Sequence, residues 1–95
     1  MFPILILSQA LMGNTVVFKP APTAVHESYM MMKIWKEAGL PDGVINFVPC
    51  DGPLISEIAV PHKDFAGVNF TGSTKTFHTI WKNIAMNIDT YKTYP

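Results

Sequence analysis

The sequence predicts an α/β fold: a partial parallel sheet with crossover helices. Short runs of β-branched and aromatic residues alternate with longer segments in which apolar residues recur every three or four positions. The connections between these segments are short and contain Gly or Pro. Strands and helices that alternate in this way form parallel sheets with right-handed crossovers. Three predicted strands are only part of such a sheet, so we expect one incomplete domain over residues 1–95.

The first half of the chain carries the first predicted strand and the first amphipathic helix. Residues 10–12 are predicted to form the last turn of a helix that ends at Gly13, where the missing Cβ permits a left-handed backbone. Residues 15–18 are nearly all apolar, as in a strand covered on both faces. Thr23 is predicted to cap the following helix and Gly39 to end it. The apolar face of that helix comprises Val25, Tyr29, Met32 and Trp35.

The second half repeats the alternation of strands and helices. Residues 44–48 form the second predicted strand, and a turn leads to a short helix over residues 54–60 that Pro61 terminates. Residues 66–70 form the third predicted strand. The last helix follows Ser73 and has the most regular apolar face, made of Phe77, Ile80, Trp81, Ile84, Ala85 and Ile88.

Charge and composition argue against several classes of partner. Seven Lys balance seven acidic residues and Arg is absent, so the chain lacks the basic surface of a nucleic-acid or anionic-membrane binder. Charged residues make up only 15% of the chain, which favours surfaces that are covered by more protein. The apolar residues 1–7 are too short to span a bilayer and do not form a targeting segment. We therefore expect neither a nucleic-acid nor a membrane partner.

The residue types that bind metals or act as nucleophiles are sparse. His26, His62 and His78 lack metal-ligand spacing and have no Cys pair or dense carboxylate cluster beside them. Cys50 has no His nearby in sequence, and a lone cysteine is more often a packing residue than a nucleophile. We expect no metal site in this chain and no nucleophile at Cys50.

Three loops are predicted to leave the carboxyl ends of the strands, beginning at Lys19, Pro49 and Thr71. Ligands of open parallel sheets bind beyond these ends, at loops and helix amino ends whose N–H groups point outward. Lys19 fits two interpretations: its ammonium donates to ribose hydroxyls or phosphate, or it simply reaches solvent.

The second and third loops supply the other candidate binding residues. Gly52, before Pro53, either lets a ligand approach the backbone closely or forms a plain turn. Gly72 gives a phosphate access to the backbone, and Ser73 places a hydroxyl at a helix amino end whose dipole favours anions. A simple helix cap explains the same residues equally, so both interpretations stay open at this point.

The three loops together, in their order and spacing, resemble the aldehyde dehydrogenase superfamily. The matching segments are residues 13–20, residues 39–46 and residues 70–73. The last helix resembles the pyrroline-5-carboxylate dehydrogenase branch, as does the segment 51–53. The residues that carry this closer likeness are Thr76, Phe77, Trp81, Lys82, Ala85, Asn87, Asp89, Thr93, Tyr94 and Pro95.

The resemblance implies part of a Rossmann-like NAD-binding domain, incomplete at both ends. It implies that Lys19 hydrogen-bonds the adenosine ribose and that Ser73 contacts the pyrophosphate. Gly52 and Gly72 would let the backbone close on the dinucleotide. Pro22 departs from relatives, which often carry a polar or acidic group there, and this departure bears on recognition of the ribose.

The resemblance also implies a reaction that this chain cannot perform alone. In the family a cysteine thiolate attacks an aldehyde, hydride passes to NAD, and a glutamate activates the water that releases the acid. Those groups and the oxyanion asparagine fall outside the matching segments, so we expect no catalytic domain here. The implied parent is a homo-oligomer that oxidises L-glutamate γ-semialdehyde to L-glutamate in proline catabolism, in the mitochondrial matrix if eukaryotic and otherwise in the cytoplasm.

Two alternatives belong to other functional classes. One is a non-catalytic module that binds a nucleotide or a dehydrogenase subunit. The other is a generic α/β phosphate-binding domain, which explains the order of strands and loops but not the side chains of the last helix.

Overall fold

The structure, a computed structural model, describes residues 2–95 of the chain. The chain divides into two compact units, Met1–Cys50 and Asp51–Pro95. Among the described residues, no helix has both the length and the apolar character needed to cross a membrane.

The first unit contains a parallel two-stranded sheet with a crossover helix, as the sequence predicts. Helix α1 (Phe2–Leu11) precedes strand β1 (Val16–Phe18), and helix α2 (Val25–Glu37) leads to strand β2 (Ile45–Phe47). Val16 pairs with Ile45 and Phe18 with Phe47 in parallel register. The predicted strands over residues 15–18 and 44–48 are confirmed, each shorter than predicted by one residue or two.

A small apolar core holds this unit together. Ile6, Phe18 and Ile45 are buried, and burial of each such side chain contributes about 1.5 to 3 kcal/mol. Met32 and Trp35 of α2 pack against this core, as predicted. Partly buried neighbours complete the cluster: Leu7, Ala10, Val16, Leu40, Val44 and Phe47. Tyr29, predicted on the same apolar face, is instead 50% exposed, and its ring lies beside Phe47 at the margin of the core.

Glycine ends both helices of the first unit, as predicted. Gly13 has φ +91° and Gly39 has φ +105°, values that L side chains rarely adopt. After α2, the Leu40 N–H donates to the Trp35 carbonyl at 2.9 Å and the Gly39 N–H to the Lys36 carbonyl at 3.1 Å. This pair of bonds satisfies carbonyl groups that the helix end would otherwise leave without donors.

The prediction that Thr23 caps α2 is wrong. A 3₁₀ turn, Pro22–Ala24, precedes the helix, and Ala24 occupies the capping position without a side-chain hydrogen bond. Pro22 favours this turn because its fixed φ suits the first helical position. The turn is closed by the Ala24 N–H, which donates to the Ala21 carbonyl at 2.9 Å.

The second unit consists of two helices and connecting segments. Helix α3 (Gly52–Ala59) begins two residues earlier than predicted because Pro53 is tolerated in a first helical turn. Helix α4 (Thr74–Met86) follows Ser73, as predicted, and a 3₁₀ turn, Ile88–Thr90, comes after it. Ile88 therefore lies outside the helix whose apolar face it was predicted to extend.

The third predicted strand does not form. Residues 66–70 have no regular secondary structure, and the described residues contain one sheet of two strands. The composition of this segment suits a strand, but a strand also needs a neighbour with which to exchange backbone hydrogen bonds. The second unit offers no such neighbour among its described residues.

Candidate functional site

Lys19 directly follows strand β1 and is half-buried. Its Nζ donates to the Pro20 carbonyl at 3.1 Å, so part of its hydrogen-bonding capacity is used locally. A Lys ammonium has three donors, and the remaining two are sufficient for a pair of ribose hydroxyls. The structure thus places Lys19 at the strand end, as predicted, in a geometry that is compatible with ribose binding.

The carboxyl ends of β1 and β2 lie at the same edge of the sheet. The strands are parallel, and the Val48 N–H donates to the Phe18 carbonyl at 2.9 Å, which continues the ladder past β2. The first and second predicted loops therefore leave the sheet side by side. Cys50, in the second of these loops, is a partly buried free thiol.

Gly52 is the first residue of α3. A Cβ built on it would meet no heavy atom within 4 Å, so the space beside its Cα is open. Asp51 occupies the N-cap position without a side-chain bond to the helix. The amino end of α3 is thus accessible, and the fold itself does not require glycine at position 52.

Gly72, in contrast, is favoured by packing within its own loop. A Cβ on Gly72 would lie 2.6 Å from Cζ of Phe70 and 3.2 Å from each Cε. Distances this short are repulsive, because carbon atoms in contact are about 3.5 to 4.0 Å apart. The close approach of the Phe70 ring therefore explains this glycine without any ligand.

Ser73 is the N-cap of α4. Its Oγ accepts from the Thr76 N–H at 3.2 Å and donates to the Thr76 Oγ1 at 2.9 Å. The N–H groups of Thr74 and Lys75 have no carbonyl partner within the helix, as in any first turn, and they add to the positive end of the helix dipole. Ser73 is exposed, so the cap and an anion at this helix end are compatible with each other.

The predicted residues thus fall into two groups. Lys19 belongs to the first unit, whereas Gly52, Gly72 and Ser73 belong to the second. In the second unit, Gly52 and Ser73 each stand at the amino end of a helix. Such ends bind phosphate through N–H groups and the helix dipole.

Two features of the second unit were not predicted from sequence. Thr76 shares the capping interaction of Ser73, and a Ser at the N-cap position is the signal that could have revealed it, because such a side chain accepts from the N–H two or three residues on. Tyr91 donates its hydroxyl to the Val60 carbonyl at 2.6 Å, a contact across 31 residues that no local pattern indicates. Among the described residues, no three His, Cys, Asp or Glu side chains are grouped as a metal site would require.

Comparison with known proteins finds a family profile and relatives that match most of this chain. The aldehyde dehydrogenase family profile matches residues 1–93. A delta-1-pyrroline-5-carboxylate dehydrogenase, mitochondrial, from Danio rerio is 49% identical over 86 residues, which are 90% of this chain and 16% of that protein. The Homo sapiens protein of the same name is 48% identical over 86 residues, 90% of this chain and 15% of that protein.

Solved structures match equally well. A crystal structure of the delta-pyrroline-5-carboxylate dehydrogenase from Mycobacterium tuberculosis has a TM-score of 0.92 and 45% identity, covering 96% of this chain and 17% of that chain. The same enzyme bound with NAD has a TM-score of 0.91 and 44% identity, covering 95% of this chain and 17% of that chain. The chain thus spans about one sixth of the length of these relatives.

Proposed function

This chain belongs to the aldehyde dehydrogenase family, and on that premise we propose that it is part of the NAD-binding domain of a dehydrogenase. The proposed reaction is the oxidation of L-glutamate γ-semialdehyde, in equilibrium with pyrroline-5-carboxylate, to L-glutamate. One observation carries the proposal: the structure with a TM-score of 0.91 that covers 95% of this chain is a pyrroline-5-carboxylate dehydrogenase bound with NAD.

The residues of the second unit fit the phosphates of a dinucleotide. We propose that Ser73 and the first N–H groups of α4 receive the pyrophosphate, because exposed N–H groups at a helix amino end attract anions. The ammonium of Lys75, also in this first turn, adds a positive charge. The open space beside Gly52 admits a close approach to the backbone of α3. Gly72 also belongs to the proposed site, although the Phe70 ring already accounts for its lack of a side chain.

Lys19 is proposed to bind the adenosine ribose. A flexible ammonium at the end of a strand can donate to both ribose hydroxyls, and two donors remain after the bond to the Pro20 carbonyl. Pro22 itself offers neither a charge nor a side-chain hydrogen bond to the ribose.

In this proposal, the residues of this chain bind and position NAD and do not take part in the chemical steps. NAD, when bound, supplies the acceptor for the hydride that leaves the aldehyde carbon. The proposed nucleophile and general base, a cysteine and a glutamate, are assigned by the family resemblance to segments of the parent enzyme other than this one. Cys50 is not proposed as the nucleophile, because it lies in the second of the three loops, the one that begins at Pro49.

The relatives also support a proposal for the setting of the enzyme. The Danio rerio and Homo sapiens proteins are named mitochondrial. We propose the mitochondrial matrix for a eukaryotic parent of this chain and the cytoplasm for a bacterial one. A homo-oligomeric parent acting on a small aldehyde is likewise proposed from the family resemblance.

Exchange of segments tests the activity. The matching segment of the Danio rerio enzyme is replaced by this chain, and NADH formation from pyrroline-5-carboxylate is followed by absorbance. We expect the hybrid to be active, since the segment is expected to supply an equivalent part of the cofactor site. A folded hybrid that binds pyrroline-5-carboxylate but neither binds NAD nor forms NADH would contradict the proposal.

Substitution of Ser73 separates the capping role from the cofactor role. Asp caps a helix as well as Ser does, so Ser73→Asp is expected to keep the thermal stability of the hybrid. Two like charges about 4 Å apart repel by about 1 to 4 kcal/mol near a protein surface, so the KM for NAD should rise about fivefold or more. Ser73→Thr, which keeps a hydroxyl cap without adding charge, is the matched control. An unchanged KM in Ser73→Asp would leave Ser73 as a cap only.

A further inference from the structure

The carboxyl end of α3 is tied to the segment that follows α4. Val60 is the C-cap of α3, and its carbonyl is among the last four of the helix, which have no partner within the helix. The Tyr91 hydroxyl donates to this carbonyl at 2.6 Å. Pro61 comes next in sequence and Val60 is buried, so little solvent reaches the carbonyl that the phenol satisfies.

Three further contacts hold Tyr91 and Lys92 against residues 60–65. The Tyr91 and Phe65 rings lie with centroids 5.4 Å apart. The Lys92 N–H donates to the Lys63 carbonyl at 3.3 Å, and the Lys92 ammonium pairs with the Asp64 carboxylate. Partial burial raises the pKa of the Tyr91 phenol above its ordinary value, so the phenol remains a donor throughout the neutral range. We call this set of contacts the Tyr91 clasp.

The clasp is connected to α4 by a short, hydrogen-bonded segment. After α4 ends at Met86, the Asn87 N–H donates to the Ile84 carbonyl at 3.0 Å, and the Thr90 N–H donates to the Asn87 carbonyl at 2.9 Å. The Asn87 side chain also donates to the Asn83 carbonyl at 2.8 Å. Tyr91 therefore follows directly on a segment that is hydrogen-bonded to the carboxyl end of α4.

Direct packing between α3 and α4 is sparse. Among the described residues, the more extensive contacts join β1 to β2, α1 to β1, and α2 to the 3₁₀ turn before it. Fewer residues of α3 and α4 contact each other. The clasp joins the carboxyl ends of the two helices, whereas Gly52 and Ser73 stand at their amino ends. Helices of 8 and 13 residues transmit orientation as short rods, about 12 and 20 Å long.

We propose that Tyr91 is a positioning residue for the dinucleotide: by binding the Val60 carbonyl it sets the spacing of α3 and α4, and hence of the two helix amino ends. The inference rests on the proposed function, because it takes those ends as the NAD-binding parts. Tyr91 itself does not contact the cofactor in this arrangement.

Titration with NAD in a calorimeter tests the proposal, with this chain in place of the matching segment of the Danio rerio enzyme. Tyr91→Phe keeps the ring contact with Phe65 and removes only the hydroxyl. We expect its dissociation constant for NAD to rise about two- to tenfold, the range that one lost neutral hydrogen bond corresponds to. Tyr94→Phe makes the same chemical change at a side chain that is 98% exposed, and it should bind NAD as the wild type does.

A second readout separates positioning from general destabilisation. Titrations at temperatures well below the unfolding transition compare chains that are fully folded, so a purely structural role would leave affinity unchanged. Lys92→Met, which breaks the ion pair but keeps the phenol bond, should weaken NAD binding less than Tyr91→Phe does. Equal NAD affinity in Tyr91→Phe and wild type would overturn the inference alone. Failure of the unsubstituted hybrid to bind NAD would overturn the proposed function and the inference with it.

Discussion

Substitution of Gly72 by Ala tests how the loop before α4 is packed. The new Cβ would lie 2.6 Å from Cζ of Phe70, so the ring or the loop must move by roughly 1 Å to restore contact distance. Overpacking of this kind costs about 1 to 3 kcal/mol. Phe70 is only partly buried and can yield, so we expect a cost near 1 kcal/mol. For a chain of this size, that cost lowers the melting temperature by about 4 to 8 °C.

The assay is thermal unfolding followed by circular dichroism, with two controls. Gly67→Ala adds a methyl group where no heavy atom lies within 4 Å, so it should melt at or slightly above the wild-type temperature. In a Phe70→Ala background the cost of Gly72→Ala should largely disappear, because the obstructing ring is gone. A wild-type melting temperature for Gly72→Ala, or an equal loss in both backgrounds, would refute the packing argument.

Three further predictions concern stability. Gly39→Ala should cost about 1 to 2 kcal/mol in urea unfolding, since φ is +105° there; an effect no larger than that of Gly67→Ala would contradict the assigned backbone. Ser28→Ala should raise the free energy of unfolding by about 1 kcal/mol, because Ser28 is fully buried and its Oγ has no hydrogen-bond partner. A loss of stability there would show that the hydroxyl is satisfied. The hydrogen bond and charge of Lys92 hold the pKa of Asp64 below its ordinary 3.8, so the stabilisation is present above that value and is lost as the pH falls through the lower folded pKa. Asp64→Asn should flatten the acid limb of a pH–stability curve, and an unchanged limb would contradict this reading.

The first unit was predictable because its signals are local. An apolar periodicity marks α2, a run of β-branched residues marks β1, and Gly13 and Gly39 end the helices through their own backbone freedom. The order strand, helix, strand then fixes a parallel pair with few alternatives. Thr23 was misassigned because the local preference of Pro22 for a helical first position started a separate turn.

The second unit was less predictable because its determinants are not local. Residues 66–70 have the composition of a strand, but pairing depends on a partner that the sequence pattern does not reveal. The bond between Tyr91 and the Val60 carbonyl joins residues 31 positions apart. Gly72 was interpreted through a ligand or a helix cap, whereas its contact with the Phe70 ring depends on how the loop folds.

The candidate binding residues were likewise predictable only where the signal is local. Sequence placed Lys19 at a strand end and Ser73 at a helix amino end, because strand and helix boundaries are readable from turn chemistry. It did not reveal that the Ser73 hydroxyl bonds Thr76 or that Lys19 donates to the Pro20 carbonyl. Side-chain partners are chosen by the folded geometry, so their roles toward NAD remain predictions.

A nuclear magnetic resonance titration of the isotope-labelled chain with NAD is the most direct test of the central claim. We predict saturable shifts that are largest at the amides of Lys19, Gly52, Gly72 and Ser73, with small changes at the exposed Tyr94. Saturable shifts centred on other residues would contradict the proposed cofactor site of this chain.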